Sequence, residues 1–300
     1  MTQRSHLDAT AAGLLVVFCA IWGLQQVTIK LAMAGLSPLM LSSLRSLGAL
    51  VLVLAWTLLR RVPLWRKDGT LAGGLLAGLL FSAEFALLYW ALNFTTASRG
   101  VIFLYTAPFF VALGAAWQLP LERPRRAQWM GLGLAFLGVL TLFGENLLRP
   151  AGDAWIGDLM MLAAALLWAA TTLTIKVSRL ATAAPEKTLL YQLAVSVVLL
   201  PLAALALGQF SLDAGRLTAT VLASLGFQIV VVATFSYLGW FWLIRHYPAT
   251  RLAAFSFLTP VFGVMAGGLL LNEPLTPAVW LALGLVGSGI FVANRPPKAA

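Results

Sequence analysis

Ten apolar runs, each roughly 18–25 residues long, fill almost the whole of this 300-residue chain. They lie at approximately 10–34, 38–60, 70–92, 96–118, 127–144, 156–178, 187–208, 217–243, 248–270 and 277–294. A helix rising 1.5 Å per residue needs about 20 apolar residues to cross the hydrocarbon of a bilayer. In lipid the backbone must satisfy its own hydrogen bonds, which leaves helices and closed barrels as spanning structures. The runs are too long for barrel strands, so the expected fold is an all-α membrane protein with ten transmembrane helices. Composition agrees: only 10% of the residues are charged, against about 25% in a soluble domain. The connections are short and marked by Pro or Gly, as in Gly35-Leu36-Ser37-Pro38, and leave no room for a separate soluble domain. The first run continues through Met33, too long for a signal-peptide core, and is expected to be an uncleaved span. The single cysteine, Cys19, can form no internal disulfide.

The net charge of +10 is expected to report orientation in the bilayer rather than nucleic-acid binding. Placing loops alternately on two sides puts thirteen Lys and Arg residues on one side, from Arg4 through Arg60, Arg61, Arg66 and Lys67 to Arg295 and Lys298. The other side holds only Arg149 and Arg216. By the positive-inside rule both termini are expected to be cytoplasmic.

Two stretches share a pattern. Residues 22–30 read WGLQQVTIK and residues 168–176 read WAATTLTIK. Ala97-Ser98-Arg99 with Pro108 is echoed by Ala249-Thr250-Arg251 with Pro260, and Glu122 with Trp129 by Glu273 with Trp280. Residues 1–148 and 149–300 therefore read as two copies of one five-helix unit. Five is odd, so the second copy must enter the membrane from the opposite side. Inverted repeats of this kind characterise secondary transporters, whose substrates sit near the midplane between the halves.

Residues i, i+4 and i+8 share a helix face. Trp22, Gln26 and Lys30 thus form one stripe, and Trp168, Thr172 and Lys176 form its twin. Most other tryptophans, such as Trp56, Trp65, Trp117 and Trp155, fall near span ends, where tryptophan normally sits. Trp22 and Trp168 fall near mid-depth and are expected to wall a cavity, packing between helices being the alternative. The lysines either contribute to a gate or snorkel to headgroups.

Arg45 in the second span and Glu84 in the third both lie roughly 10–12 Å below the outer surface. An unpaired buried ion costs several kcal/mol, so these two are expected to pair, either as a fixed bridge or in a functional role, as a substrate counter-ion or a proton site, and with Lys30 to contribute to an outer gate. Neither has a charged counterpart in the second half, where the polar residues of span seven are Tyr191 and Gln192. Tyr89, Tyr105, Thr106, Thr171, Tyr191, Phe235 and Tyr237 are the further polar and aromatic residues expected in cavity-facing spans. Aromatic walls with sparse hydrogen-bonding groups suit a small amphipathic substrate and not a phosphate ester, which would call for clustered Lys and Arg. Pro108 and Pro260 remove one backbone hydrogen bond each and are candidate hinges. Gly74/Gly78 and Gly263/Gly267 read as close helix contacts.

The segments FCAIWG (Phe18–Gly23), TAPFF (Thr106–Phe110) and LTPVFGVMAGGLLLNEPLT (Leu258–Thr276) resemble bacterial EamA-type members of the drug/metabolite transporter superfamily, and the resemblance covers nearly the whole chain. Within that family the chain is most similar to exporters of aromatic and other amino acids that also expel paraquat-like compounds. The resemblance implies a multi-pass inner-membrane protein, with spans one to four and six to nine around a central cavity and spans five and ten at the periphery. It also implies structural roles for Glu122 and Glu273. The expected activity is export of amino acids or related small metabolites by alternating access, with Trp22, Gln26, Tyr105, Trp168, Thr172 and Tyr237 at the substrate and Lys30, Arg45, Glu84 and Lys176 at gates or in coupling. The alternatives are multidrug or metabolite efflux by the same fold and a facilitative uniporter. No cofactor is expected, the partners are a small-molecule substrate and the lipid bilayer, and a monomer suffices. His6 and His246 have no metal-binding neighbours in sequence, and no catalytic set is visible, which argues against an enzyme.

Overall fold

The chain is described by a computed structural model that covers residues 7–148, 152–271 and 276–295. Among these residues, ten helices are long and apolar enough to cross a membrane. They are α1 (Ala9–Ala32), α2 (Pro38–Leu59), α3 (Leu71–Ala91), α4 (Arg99–Gln118), α5 (Arg126–Phe143), α6 (Ala154–Val177), α7 (Pro185–Ala206), α8 (Ala219–His246), α9 (Ala249–Leu270) and α10 (Pro277–Asn294). Local chemistry starts them where expected. Asp8 caps α1 by accepting from the Ala11 N–H at 2.8 Å. Proline opens α2, α7 and α10, at a position whose N–H would lack a helical partner anyway. Trp65, Trp117, Trp155 and Trp280 are exposed, as interface tryptophans should be.

Three helices depart from regular geometry. The span α4 is interrupted at Tyr105–Thr106, and Pro108 lies at the start of the piece that follows, Ala107–Gln118. The span α9 is interrupted at Ser256–Phe257, and Pro260 lies in the first turn of Leu258–Leu271. Each proline therefore marks a break two to four residues upstream, where its ring excludes a regular helix. In α8 the residues Gln228–Ser236 form a π-helix, and the Thr234 hydroxyl follows it by donating to the Ile229 carbonyl five residues back at 2.8 Å.

Small residues set the helix spacing. A Cβ on Gly74 or Gly78 would strike Tyr191 or Val195 of α7 within 3 Å, so these glycines admit α7 against α3. Gly23 of α1 lies against the backbone of Gly263 in α9. The helices α5 and α10 cross at Gly131 and Gly289.

Buried ion pairs tie the helix ends. At one end of α6, Asp158 accepts from Arg99 at 2.7 Å and from the Thr95 hydroxyl at 3.0 Å. At its other end Lys176 meets Glu122 at 3.0 Å. Beside that second end, Lys187 of α7 meets Asp68 of the α2–α3 connection at 2.9 Å. Asp68 also accepts from the Thr70 hydroxyl at 2.6 Å. The Thr70 hydroxyl bond first, and then Lys187, hold the Asp68 carboxyl well below its usual range. A depressed carboxyl contributes stability that is present above the unfolded value of about 3.9 and lost as pH falls through the folded one. Asp68→Asn is therefore expected to lower the thermal midpoint of the purified protein at neutral pH. The gap to wild type should close in acid below the ordinary aspartate range, and a gap constant across pH would refute the assignment.

Candidate functional site

A cavity of about 110 Å³ opens among α1, α3, α4, α6, α7 and α8. The helices α5 and α10 contribute nothing to its lining and pack against each other, and, against the expectation, α2 and α9 contribute no lining residue either. One wall is a chain of rings. Trp22 meets Trp240 edge-on at 5.3 Å between centroids and Tyr237 at 6.5 Å. Tyr237 meets Phe81 at 6.0 Å, and Phe81 meets Phe85 at 4.7 Å. Trp22 is fixed in azimuth, because its indole N–H donates to the Ser236 hydroxyl at 2.9 Å, which in turn donates to the Val232 carbonyl at 2.6 Å. Facing this wall, Tyr105 and Trp168 stand edge-to-face at 6.1 Å. Tyr105 caps the first piece of the broken α4, which is how the interruption brings a phenol to the cavity.

Polar side chains are few: the carboxamides of Gln25, Gln26 and Gln192, the hydroxyls of Tyr105, Thr171, Thr172 and Tyr237, and the carboxyl of Glu84, beside the indole N–H groups of the tryptophans. Glu84 is the one carboxyl side chain in the lining, which holds no Lys, Arg or Asp. Gln192 is fully buried, and neither atom of its amide has a hydrogen-bond partner. Such a site can hold a molecule with an apolar or aromatic body and one or two polar groups. Among the described residues no group of three His, Cys, Asp or Glu comes together that could hold a metal ion.

All six residues expected at the substrate, Trp22, Gln26, Tyr105, Trp168, Thr172 and Tyr237, line this one cavity. The spacing of Trp22 with Gln26, and of Trp168 with Thr172, sufficed to find them. The wall residues Gln25, Phe81, Trp240 and Phe241 were missed by sequence reasoning. The doublet Gln25-Gln26 within an apolar run and the Tyr237-Trp240 spacing were the available signals.

Other expectations are corrected. Arg45 and Glu84 form no ion pair. The Arg45 guanidinium carbon lies 4.0 Å over the Phe85 ring, 5.7 Å from that of Tyr89 and 6.0 Å from that of Tyr237. Successive residues of a helix point about 100° apart, so when Phe85 faces Arg45 its neighbour Glu84 turns to the cavity. The two lysines do not extend the stripes into the cavity. Lys30 is exposed at the end of α1. Lys176 is only 5% exposed and donates to Glu122 and, at 2.5 Å, to the Tyr247 carbonyl. Glu122 completes that knot by accepting from the Ala249 N–H at 2.7 Å. Phe235 is 56% exposed, because the π-helix has turned it outward. Tyr89 is buried outside the cavity, and the Tyr191 hydroxyl lies 3.1 Å from that of Thr70. Thr106 is bonded to the Phe103 carbonyl at the α4 break. Glu273 lies outside the described residues.

The model of the EamA-like transporter family matches residues 9–144 and again residues 155–295. A protein of Escherichia coli (strain K12) described as a probable amino-acid metabolite efflux pump is 30% identical over 298 residues, 96% of this chain and 95% of that protein. The uncharacterized inner membrane transporter YedA of Escherichia coli (strain K12) is 27% identical over 287 residues, 91% of this chain and 87% of its own length. A solved crystal structure superposes with a TM-score of 0.78 at 21% identity, covering 94% of this chain and 98% of that chain. At that identity the likeness is one of fold.

Proposed function

The chain belongs to the EamA-like transporter family, and on that premise we propose that it exports aromatic and other neutral amino acids, or related small metabolites, by alternating access. The observation that carries the reading is the cavity itself, an aromatic box with three carboxamides, four hydroxyls and one carboxyl group. Rings of this kind receive an apolar side chain, and the polar groups fix a charged backbone. The Escherichia coli relative described as a probable amino-acid metabolite efflux pump supports the same substrate class. The family model matches twice along the chain, which supports two five-helix copies. The asymmetry of Lys and Arg supports their opposite insertion, with both termini cytoplasmic in a bacterial inner membrane. Pro108 and Pro260 sit beside the two helix breaks, where hinges would open one mouth while the other closes.

Uptake of labelled L-phenylalanine into proteoliposomes tests this. Trp22→Ala and Trp168→Ala are each expected to lower uptake about tenfold or more, since truncating a buried aromatic anchor costs on the order of 2 kcal/mol or more of binding. If both variants match wild type, the site assignment is wrong. A second reading, efflux of organic cations, draws on Glu84 being the one carboxyl group in an aromatic lining, a combination that also favours quaternary ammonium. A substrate panel in the same vesicles separates the two. Stimulation by an imposed pH gradient separates a coupled carrier from a uniporter.

A further inference from the structure

Behind the Phe85 ring, on the side away from the cavity, lies a second group of polar side chains. Arg45 of α2 is 1% exposed, and none of its three guanidinium nitrogens has a hydrogen-bond partner. Ser42, about one turn before it on α2, and Ser46, the next residue along and i+4 to Ser42, are both fully buried, and neither hydroxyl has a partner. This is not the habit of the helix. Ser43, between them, donates to the Leu39 carbonyl at 2.8 Å, and Thr57 to the Val53 carbonyl. Tyr89 of α3, whose ring lies 5.7 Å from the Arg45 guanidinium carbon, is also fully buried with an unpartnered hydroxyl. The buried guanidinium and the Tyr89 ring thus lie beside Phe85 and Tyr237, two rings that also line the cavity, with the Ser42 and Ser46 hydroxyls buried on the helix that carries Arg45. Along α2 and α3 the only other charge is Glu84, which faces the cavity and forms no ion pair with Arg45. In α8 the charges lie at the far end, at Arg245 and His246.

Buried donors around a cation are satisfied by an anion with several acceptor sites. A phosphate would bring more charge than one guanidinium neutralises. We propose that Arg45, with Ser42, Ser46 and Tyr89, forms a buried receptor for one small monovalent anion. The shared chemistry fits two sources. One is the carboxylate of an amino-acid substrate, received when the Phe85 ring turns aside, with the ammonium at Glu84. The other is chloride from solution. The first rests on the export reading above; the second does not.

Both are tested on the full chain in lipid nanodiscs. Calorimetry compares L-phenylalanine with phenethylamine, which lacks the carboxylate, and chloride NMR line widths report halide binding. If the carboxylate is the occupant, Arg45→Gln weakens L-phenylalanine binding about tenfold or more and leaves phenethylamine unchanged. If chloride is the occupant, wild type broadens the chloride line and Arg45→Gln abolishes the broadening. Arg45→Lys, which keeps the charge but loses the planar fork, should fall between. The double variant Ser42→Ala with Ser46→Ala should weaken whichever anion binds, and it decides the matter if Arg45→Gln does not fold. A wild type that binds no amino acid sinks the export reading and leaves the halide measurement to judge the receptor. Variants that bind L-phenylalanine, phenethylamine and chloride as wild type does overturn it, as does a wild type that binds neither anion.

Discussion

Lys176→Met is expected to destabilise the protein by about 3–5 kcal/mol, the cost of breaking a buried ion pair by removing one partner. Lys176 and Glu122 are each 5% exposed and meet at 3.0 Å. The ammonium also donates to the Tyr247 carbonyl, and Glu122 accepts from the Ala249 N–H at 2.7 Å. Without the lysine, the carboxylate loses that cation in a site it cannot leave, and the Tyr247 carbonyl loses the ammonium's hydrogen bond. Four elements share this knot: the end of α6, the turn after α4, and the facing ends of α8 and α9. Its loss therefore loosens one end of the bundle as a whole. Adding Glu122→Gln should restore part of the loss, because the remaining group is then neutral. The check is the thermal midpoint and monodispersity of purified variants in detergent. A single variant as stable as wild type would mean that water reaches the pair and that it holds little together.

Gly289→Leu and Gly131→Leu should disrupt the crossing of α5 and α10, at a cost at or above the ~3 kcal/mol upper range for overpacking. A Cβ on Gly131 would lie 2.5 Å from the Ala293 nitrogen and from the Gly289 carbonyl oxygen. One on Gly289 would lie 2.5 Å from the Gly131 carbonyl oxygen. The obstacles are backbone atoms, which cannot swing aside as a side chain can. In lipid no hydrophobic force drives helices together, so close approach through small residues supplies the attraction. Gly133 and Gly287, on the same two helices, have nothing within 4 Å of such a Cβ. Gly133→Leu and Gly287→Leu are therefore matched controls expected to fold normally. Equal expression and equal midpoints for all four variants would show that the crossing does not hold the pair.

The ten spans were legible because lipid imposes a length and a composition that a single sequence displays. The expected fifth span at 127–144 meets a helix at Arg126–Phe143. The eighth, expected at 217–243, runs on to His246, because the last turn carries Arg245 and His246 at its end and the apolar signal fades before the helix does. The cavity was legible wherever one helix carried a stripe of its own, as with Trp22 and Gln26. It was not legible where the answer depended on the rotation of one helix against another. Arg45 and Glu84 were placed at matching depth, but depth fixes only one coordinate. The residue facing Arg45 is Phe85. Lys176 looked like a mouth residue because the sequence does not reveal that the turn after α4 folds Glu122 back against it. Phe235 was misplaced because a wheel drawn at 3.6 residues per turn fails once the helix widens.

That widening makes the cavity depend on a number rather than on a residue type. Each turn closed five residues back, in place of four, spends one extra residue and rotates everything downstream relative to a regular α-helix. Tyr237, Trp240 and Phe241, together with the Ser236 hydroxyl that seats Trp22, reach the cavity only with nine residues wound this way between Gln228 and Ser236. Shortening the stretch by one would swing that face toward lipid with every ring still present. The length of this segment thus shapes the cavity as much as the rings it aims.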